Sequence, residues 1–473
     1  MTSSAERRLG DKIIRELYRD PDYIDDPVIV EYVQGIWQPL LAAARLRGDL
    51  QPELDQRFAW EILLGRDRTI NAFALPGGYF GLHLGLVGVV TSRDELASVL
   101  AHEMSHVTQR HISRIIAKQS AQTPWLIGAM ILGALAASKN PEAANAVIVG
   151  GQAVAAQSQL NFSRDMEREA DRLGFGVMTQ AGFESRAFVT MFDKLQQSAR
   201  LNDNGSFPYL RSHPLTTERI ADMQARQQSG VSTTVPSVVT LEHAMVAARA
   251  RVLSNAGVDA LRAWAQEADS KNLAGLATPR QAAALYGAAL AAIKSRDFPQ
   301  AEGFLTRLTE LTRTDARAAR LTRLLAAEQA VTAGDVRRAA GLLDTEVARS
   351  GAQALGRPDL FLWSQAASRS GQGSQAAQRL QTWLVTHPRD ASAWQLLSAA
   401  YAAQGQTLRA IRAEAEAHVV QLDYAAAVER FKAAQELVRS TRPDVGVDHI
   451  EASIIDTRTR EVQALLREQA LER

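Results

Sequence analysis

His102 and His106 lie four residues apart, and Glu103 follows the first of them in the string His-Glu-Met-Ser-His. In an α-helix, residues four apart project from the same face, one turn apart. Two imidazoles placed in this way could bind a single metal ion, with Glu103 positioned as general base for a water molecule. The alternative is a pair of surface histidines on an amphipathic helix.

The sequence around the two histidines favours a buried helix. The pattern from Asp94 to Ile115 is helical, and its apolar stripe consists of Leu96, Val99, Leu100 and Met104. Such a stripe would carry the histidines into a hydrophobic core rather than leave them on the surface.

A second cluster, of acidic residues, follows at 162–171. Glu167 and Asp171 are again four apart and would share one helix face. A metal site with two histidines needs one further carboxylate ligand, and also an outer carboxylate that orients an imidazole. Glu167 and Asp171 could fill these roles, whereas Glu169 is rotated by about 200° from Glu167 and should face elsewhere. The alternative for Glu167 is a solvated charge.

These motifs, together with 71–78 (Asn-Ala-Phe-Ala-Leu-Pro-Gly-Gly) and 212–220 (Ser-His-Pro-Leu-Thr-Thr-Glu-Arg-Ile), resemble a known family of zinc endopeptidases. The family includes the CAAX prenyl endopeptidase and the bacterial membrane heat-shock protease. The resemblance covers roughly residues 70–222. It implies an α+β zincin-type peptidase domain, mainly helical with a small sheet, which holds one Zn²⁺ per chain through His102, His106 and Glu167.

His213 and Arg219 fall in the last of these motifs, before a helix predicted over Thr216–Gln228. His213 could be a loop residue, could hydrogen-bond the oxyanion of a tetrahedral intermediate, or could be a fourth metal ligand. A fourth protein ligand would displace the catalytic water and leave the enzyme latent. Arg219 could stabilise the oxyanion or form a surface salt bridge.

The first 65 residues are predicted to be largely helical, and short strands are predicted over Phe58–Leu64, Thr69–Leu75 and Tyr79–His83. The segment Asn71–Ala74 has two interpretations. It could be an edge strand that pairs with the backbone of a bound peptide, or a plain core strand closed by the turn that follows it.

An apolar insert at 118–160 separates the two metal-binding motifs. Its run 125–137 is shorter than the about 20 residues that a membrane-spanning helix needs. The insert could be a buried hairpin, a contact with a membrane surface or membrane-protein clients, or a mobile lid over the site.

Composition is that of a globular protein: of 473 residues, 46% are hydrophobic and 22% charged, and the net charge is +1. The balanced charge gives no indication of nucleic-acid binding. With no cysteine, the chain has neither disulfides nor thiolate metal ligands. The N-terminus shows no signal-peptide pattern, which taken literally predicts a cytoplasmic protein. The resemblance implies instead a periplasmic protein whose signal peptide has been removed.

The C-terminal half has the pattern of tetratricopeptide repeats. Segments 360–388 and 394–417 align at a period of 34 residues, with Gly371 matching Gly405 and Ala376 matching Ala410. The sequence predicts a peptidase domain at 1–227, a linker at 228–240, and an all-α repeat domain at 241–473. Stacked repeats form a groove that binds peptides or proteins. The alternative is an unrelated helical domain.

Two classes of function are open. The resemblance implies an endopeptidase that degrades misassembled envelope proteins, with outer-membrane β-barrel proteins and their assembly machinery as partners. If His213 is a fourth ligand, this enzyme is latent at rest. The second is a chaperone or assembly scaffold for outer-membrane β-barrel proteins with little proteolytic activity.

Overall fold

The computed structural model describes residues 1–118, 163–201, 208–229, 239–269, 273–350, 355–440 and 448–471. Apart from residue 118, the predicted insert at 118–160, with its apolar run 125–137, lies outside these ranges, as does most of the predicted linker at 228–240. No helix within the described ranges is both long enough and apolar enough to cross a bilayer.

The chain divides into two compact units, Met1–Ala318 and Ala319–Arg473. The helices of the first unit, in chain order, are α1 (Ser3–Tyr18), α2 (Pro27–Arg47), α3 (Pro52–Arg57), α4 (Leu84–Val89), α5 (Arg93–Thr108), α6 (His111–Lys118), α7 (Arg164–Gln180), α8 (Arg186–Leu201), α9 (Pro208–Ser212), α10 (Thr217–Ser229), α11 (Leu241–Ser254), α12 (Val258–Glu267), α13 (Thr278–Lys294) and α14 (Phe298–Thr312).

A small sheet accompanies these helices, with strands β1 (Tyr23–Ile24), β2 (Glu61–Gly65), β3 (Ala72–Leu75) and β4 (Tyr79–His83) in the order β1-β2-β4-β3. β3 and β4 form an antiparallel hairpin, and β4 pairs in parallel with β2. β3 thus lies at one edge of the described sheet and packs against α5. The strand predicted at Phe58–Leu64 is observed as β2, which begins at Glu61 and ends at Gly65, and β1 was not predicted.

The predicted continuous helix from Asp94 to Ile115 is wrong. α5 ends at Thr108, Arg110 adopts a left-handed conformation with φ 53°, and α6 begins at His111. The Arg110 side chain donates hydrogen bonds to Glu6 Oε2 (2.9 Å) and to the carbonyl of Met1 (2.8 Å). These contacts with α1 hold the break, and no local pattern reveals them.

Helix α7 packs on α5 at very close range. Its N-terminus is capped by Ser163, whose hydroxyl accepts a hydrogen bond from the Met166 amide. At Gly174 a Cβ atom would lie only 3.0 Å from the backbone nitrogen of His102. The glycine therefore lets the two helices approach until their functional side chains meet.

The helices after the predicted linker begin within the first unit. α11 packs on α4 and α2, and its Arg249 forms a buried salt bridge with Asp26 (2.7 Å). His243 contacts the Tyr32 hydroxyl (2.7 Å) and the Val90 carbonyl (2.9 Å). The division between compact units thus falls at 318/319, well beyond the predicted linker at 228–240.

The second unit is helical, and neighbouring helices from α16 onward pack in sequence. Residues with a positive φ follow the first helix of each successive helical hairpin, at Gly334, Gly371 and Gly405. A further residue with a positive φ, Leu422, follows after a shorter interval. The predicted fold class, a mainly helical domain with a small sheet followed by a helical region, is confirmed. The tetratricopeptide assignment stays a prediction. The helices are α15 (Ala316–Ala333, which contains the division), α16 (Val336–Ser350), α17 (Arg357–Arg369), α18 (Gly373–Thr386), α19 (Ala391–Ala402), α20 (Thr407–Val420), α21 (Tyr424–Ser440) and α22 (His449–Leu471).

Candidate metal centre

Four side chains from three segments of the first unit meet at one buried point: His102 and His106 of α5, Glu167 of α7, and His213. The two Nε2 atoms of His102 and His106 lie 3.0 Å apart. Glu167 lies 3.3 Å from His106 Nε2 and 3.5 Å from His102 Nε2. His213 Nδ1 lies 3.1 Å from Glu167 Oε1 and 3.4 Å from His102 Nε2.

This geometry fits a tetrahedral metal ion. Ligand atoms about 2.0–2.1 Å from a tetrahedral zinc ion lie about 3.3–3.4 Å from one another. The measured separations of 3.0–3.5 Å bracket that value. The donor set of imidazole nitrogens and one carboxylate, fully buried, is also one that zinc accepts.

The protonation tendencies suit metal binding. Burial lowers the pKa of His106 well below its ordinary value, which keeps the lone pair available. Burial opposes ionisation of Glu167, but the His213 charge and hydrogen bonds from the histidines prevail and hold its pKa well below the usual range. For His102, burial is outweighed by hydrogen bonds with Asp171 and Glu167, which raise its pKa to about 9. A metal cation would take the place of that proton.

Glu103 lies beside this cluster, with Oε1 3.4 Å from His213 Nε2. Its carboxylate is buried, and burial raises its pKa above the ordinary value. By strict donor and acceptor geometry neither of its oxygens is satisfied, although a hydrogen bond with Tyr209 opposes the effect of burial on its pKa. Buried polar atoms are nearly always hydrogen-bonded, and this carboxylate keeps acceptor capacity beside the cluster for a further donor such as a water molecule.

Asp171 and Arg219 form the outer part of the site. Asp171 Oδ1 lies 2.9 Å from His102 Nδ1. Arg219 is buried and donates to both Asp171 oxygens (2.6 and 2.7 Å) and to the Pro214 carbonyl (2.9 Å), and it lies 2.7 Å from Glu167. The arginine thus ties α10 and the segment after His213 to the two carboxylates of α7. Its salt bridge is buried, not on the surface.

Two residues of this region did not stand out in the sequence. Tyr209 stacks on His213 with ring centroids 4.6 Å apart. His111 lies 2.9 Å from His106, and its other nitrogen contacts Glu169. Glu169 remains outside the metal cluster, as its rotation on the helix predicts. No spacing rule indicates Tyr209 or His111; His111 reaches the site because the helical pattern is interrupted at Arg110.

Comparison with known proteins identifies the family to which part of this unit belongs. Residues 40–227 match the model of peptidase family M48. Residues 40–227 therefore form a metallopeptidase domain of that family, and the resemblance drawn from the motifs is confirmed.

The sequence similarity to individual relatives extends over more of the chain than this domain. A Vibrio cholerae protein, provisionally named as a beta-barrel assembly-enhancing protease, is 35% identical over 66% of this chain and 61% of its own length. The beta-barrel assembly-enhancing protease of Escherichia coli K12 is 31% identical over 63% of this chain and 58% of its own length. The mitochondrial metalloendopeptidase OMA1 of Saccharomyces cerevisiae is 26% identical over 40% of this chain and 54% of its own length. The chain thus spans about six tenths of the length of the bacterial relatives.

Proposed function

We propose that this chain is a zinc-dependent endopeptidase that holds one Zn²⁺ on His102, His106 and Glu167. The observation that supports this most strongly is the tetrahedral spacing of these buried donors, with the buried carboxylate of Glu103 beside them. A bound zinc ion would supply Lewis acidity, lowering the pKa of a water molecule and polarising the scissile carbonyl.

The protein's own residues then have separate tasks. Glu103 accepts the proton of the attacking water and delivers it to the leaving amine. Asp171 holds the ring of His102 in the orientation that directs Nε2 at the metal. Arg219 holds Asp171 and Glu167 in place, and this positioning task has better geometric support than the predicted contact with the oxyanion.

We further propose that the resting enzyme is latent. His213 lies within ligand distance of the other donors and also 3.4 Å from Glu103. In that position it fills the coordination site that an attacking water needs. Proteolysis would then require that the segment carrying His213 withdraw.

The substrates that we propose are misassembled envelope proteins, among them outer-membrane β-barrel proteins and their assembly machinery, in the periplasm. Support comes from the names of the bacterial relatives. The edge position of β3 beside α5 offers a strand to which an extended peptide could add. The tetratricopeptide-like helices of the second unit would recruit these clients.

The test is casein digestion by four zinc-loaded proteins: wild type, Glu103→Gln, His213→Ala and His387→Ala. His387 is an exposed histidine of the second unit and serves as the matched control. We expect wild type and the control to be slow, Glu103→Gln to be inactive and His213→Ala to be faster. If wild type cuts well and His213→Ala is slower, His213 assists catalysis and the enzyme is not latent. If no variant cuts, the chain acts as a chaperone or assembly scaffold instead.

A further inference from the structure

The second histidine of the motif is supported by a third histidine that its spacing would not predict. His106 Nδ1, the nitrogen that faces away from the metal cluster, lies 2.9 Å from His111 Nδ1. His111 is completely buried, and its Nε2 lies 3.1 Å from Glu169 Oε2. A chain of contacts thus runs from the metal cluster through two imidazoles to a carboxylate.

The helix break creates this contact. In a continuous helix, five residues turn the chain by about 500°, so His111 would point about 140° away from His106. The left-handed Arg110 between α5 and α6 redirects the chain, and the His111 ring returns to face His106. A non-glycine residue in this conformation is strained. The contacts of Arg110 with Glu6 and Met1 stabilise it there.

One arrangement of the protons on the two imidazole rings allows every contact in this chain to be a hydrogen bond. If His106 binds a metal ion through Nε2, its proton is on Nδ1 and is donated to His111 Nδ1. His111 then carries its own proton on Nε2 and donates it to Glu169. Arg114 Nη1, 2.8 Å from the same Glu169 oxygen, keeps that carboxylate in place. The negative charge of Glu169 thereby keeps His111 Nδ1 an acceptor.

We propose that His111 and Glu169 are positioning residues that fix the ring orientation and tautomer of His106 for metal binding. This inference rests on the proposed metal centre. Helix α7 would then support both histidines of the motif, with Asp171 acting directly on His102 and Glu169 acting on His106 through His111. Metal-binding histidines generally need such a partner, and its loss weakens metal affinity by about 10–100-fold.

The experiment measures zinc affinity of the full chain by competition with a chromophoric chelator, together with the absorption spectrum of the Co²⁺-substituted protein. The variants are His111→Leu, His111→Asn and Glu169→Ala, with Asp165→Ala as control. Leu and Asn have similar shapes, but only Asn offers an acceptor near the place of Nδ1. Asp165 is an exposed carboxylate of the same helix whose side chain is 93% exposed.

We expect His111→Leu to weaken zinc binding by about 10–100-fold and to alter the Co²⁺ spectrum. His111→Asn should recover most of the affinity, Glu169→Ala should lose at least about threefold, and Asp165→Ala should match wild type. Wild-type affinity and spectrum in both His111→Leu and Glu169→Ala would overturn the proposal.

Two further outcomes are distinguishable. If wild type itself binds no zinc, the proposed function fails, and with it the basis of this inference. If metal-free His111→Leu does not fold, as circular dichroism would show, Glu169→Ala and Asp165→Ala decide. Zinc binding that is weaker in Glu169→Ala than in Asp165→Ala supports the proposal. Equal zinc binding in these two variants rejects it.

Discussion

The buried salt bridge between Asp26 and Arg249 predicts how firmly α11 is held to the peptidase fold. Asp26 accepts three hydrogen bonds of 2.7–3.0 Å from the guanidinium and also caps α2 through the Ile29 amide. Both side chains are buried. Asp26→Asn keeps a good cap but leaves an uncompensated buried arginine, a change that costs about 3–5 kcal/mol.

Hydrogen exchange followed by mass spectrometry measures this effect in the peptide 241–254. A loss of about 3 kcal/mol in local stability accelerates exchange by about 100-fold. The matched control is Asp55→Asn, which breaks an equally close arginine pair with Arg45 on the surface. Surface pairs contribute at most about 1 kcal/mol, so exchange in α11 should be unchanged in the control. Exchange in Asp26→Asn within about threefold of wild type would refute a buried pair.

The same pair has a defined pH dependence. Burial would raise the pKa of Asp26, but the charge and hydrogen bonds of Arg249 prevail and lower it below the ordinary 3.8. A lowered pKa in the folded state gives stability that is present above 3.8 and is lost as the pH falls through the folded value. The difference between wild type and Asp26→Asn should therefore persist down to pH 4 and close only below it.

Other predictions concern the site and the second unit. Arg219→Met removes the guanidinium from two buried carboxylates and should lower the unfolding free energy of the metal-free protein by about 3–5 kcal/mol in urea titrations; an unchanged midpoint would contradict its buried salt bridges. Gly174→Val would force α7 away from α5, and we expect weaker zinc binding by chelator competition; wild-type affinity would show that the close approach is not needed. Gly371 has φ 83°, so Gly371→Ala should destabilise the second unit by about 1 kcal/mol in thermal unfolding. Gly341 lies inside α16 with open space around it, so Gly341→Ala should stabilise the unit by up to about 1 kcal/mol. Equal shifts of the same sign would contradict the turn geometry.

Local spacing was sufficient to find the centre of the site. His102 with His106, and Glu167 with Asp171, are each pairs on one helix face, and the two helices do bring them together. Helical periodicity carries such information because both members of each pair share one element. The cap of α10 is also a local feature, since the Thr216 hydroxyl accepts a hydrogen bond from the Arg219 amide three residues on.

The features that local spacing could not predict depend on contacts between segments that are distant in the sequence. The helix break at Arg110 is held by α1, more than one hundred residues earlier, so the pattern at 94–115 reads as one helix. His111 is brought to His106 only by that break. Likewise, α11 joins the first unit through Arg249 and Asp26, which are 223 residues apart. The compact unit therefore continues to Ala318, whereas the family match ends at residue 227, and the predicted boundary at 228–240 stays a prediction.

We propose that His102, His106 and Glu167 hold a zinc ion and that Glu103 acts as the base. The most direct test measures zinc content by mass spectrometry and peptide cleavage on the same samples of wild type, Glu103→Gln and His106→Ala, each in a His213→Ala background. We predict one zinc per chain in the first two, cleavage only in the first, and neither zinc nor cleavage in the third. Full cleavage by the Glu103→Gln protein would contradict the role of Glu103 as the base. Full zinc content in the His106→Ala protein would contradict the role of His106 as a ligand.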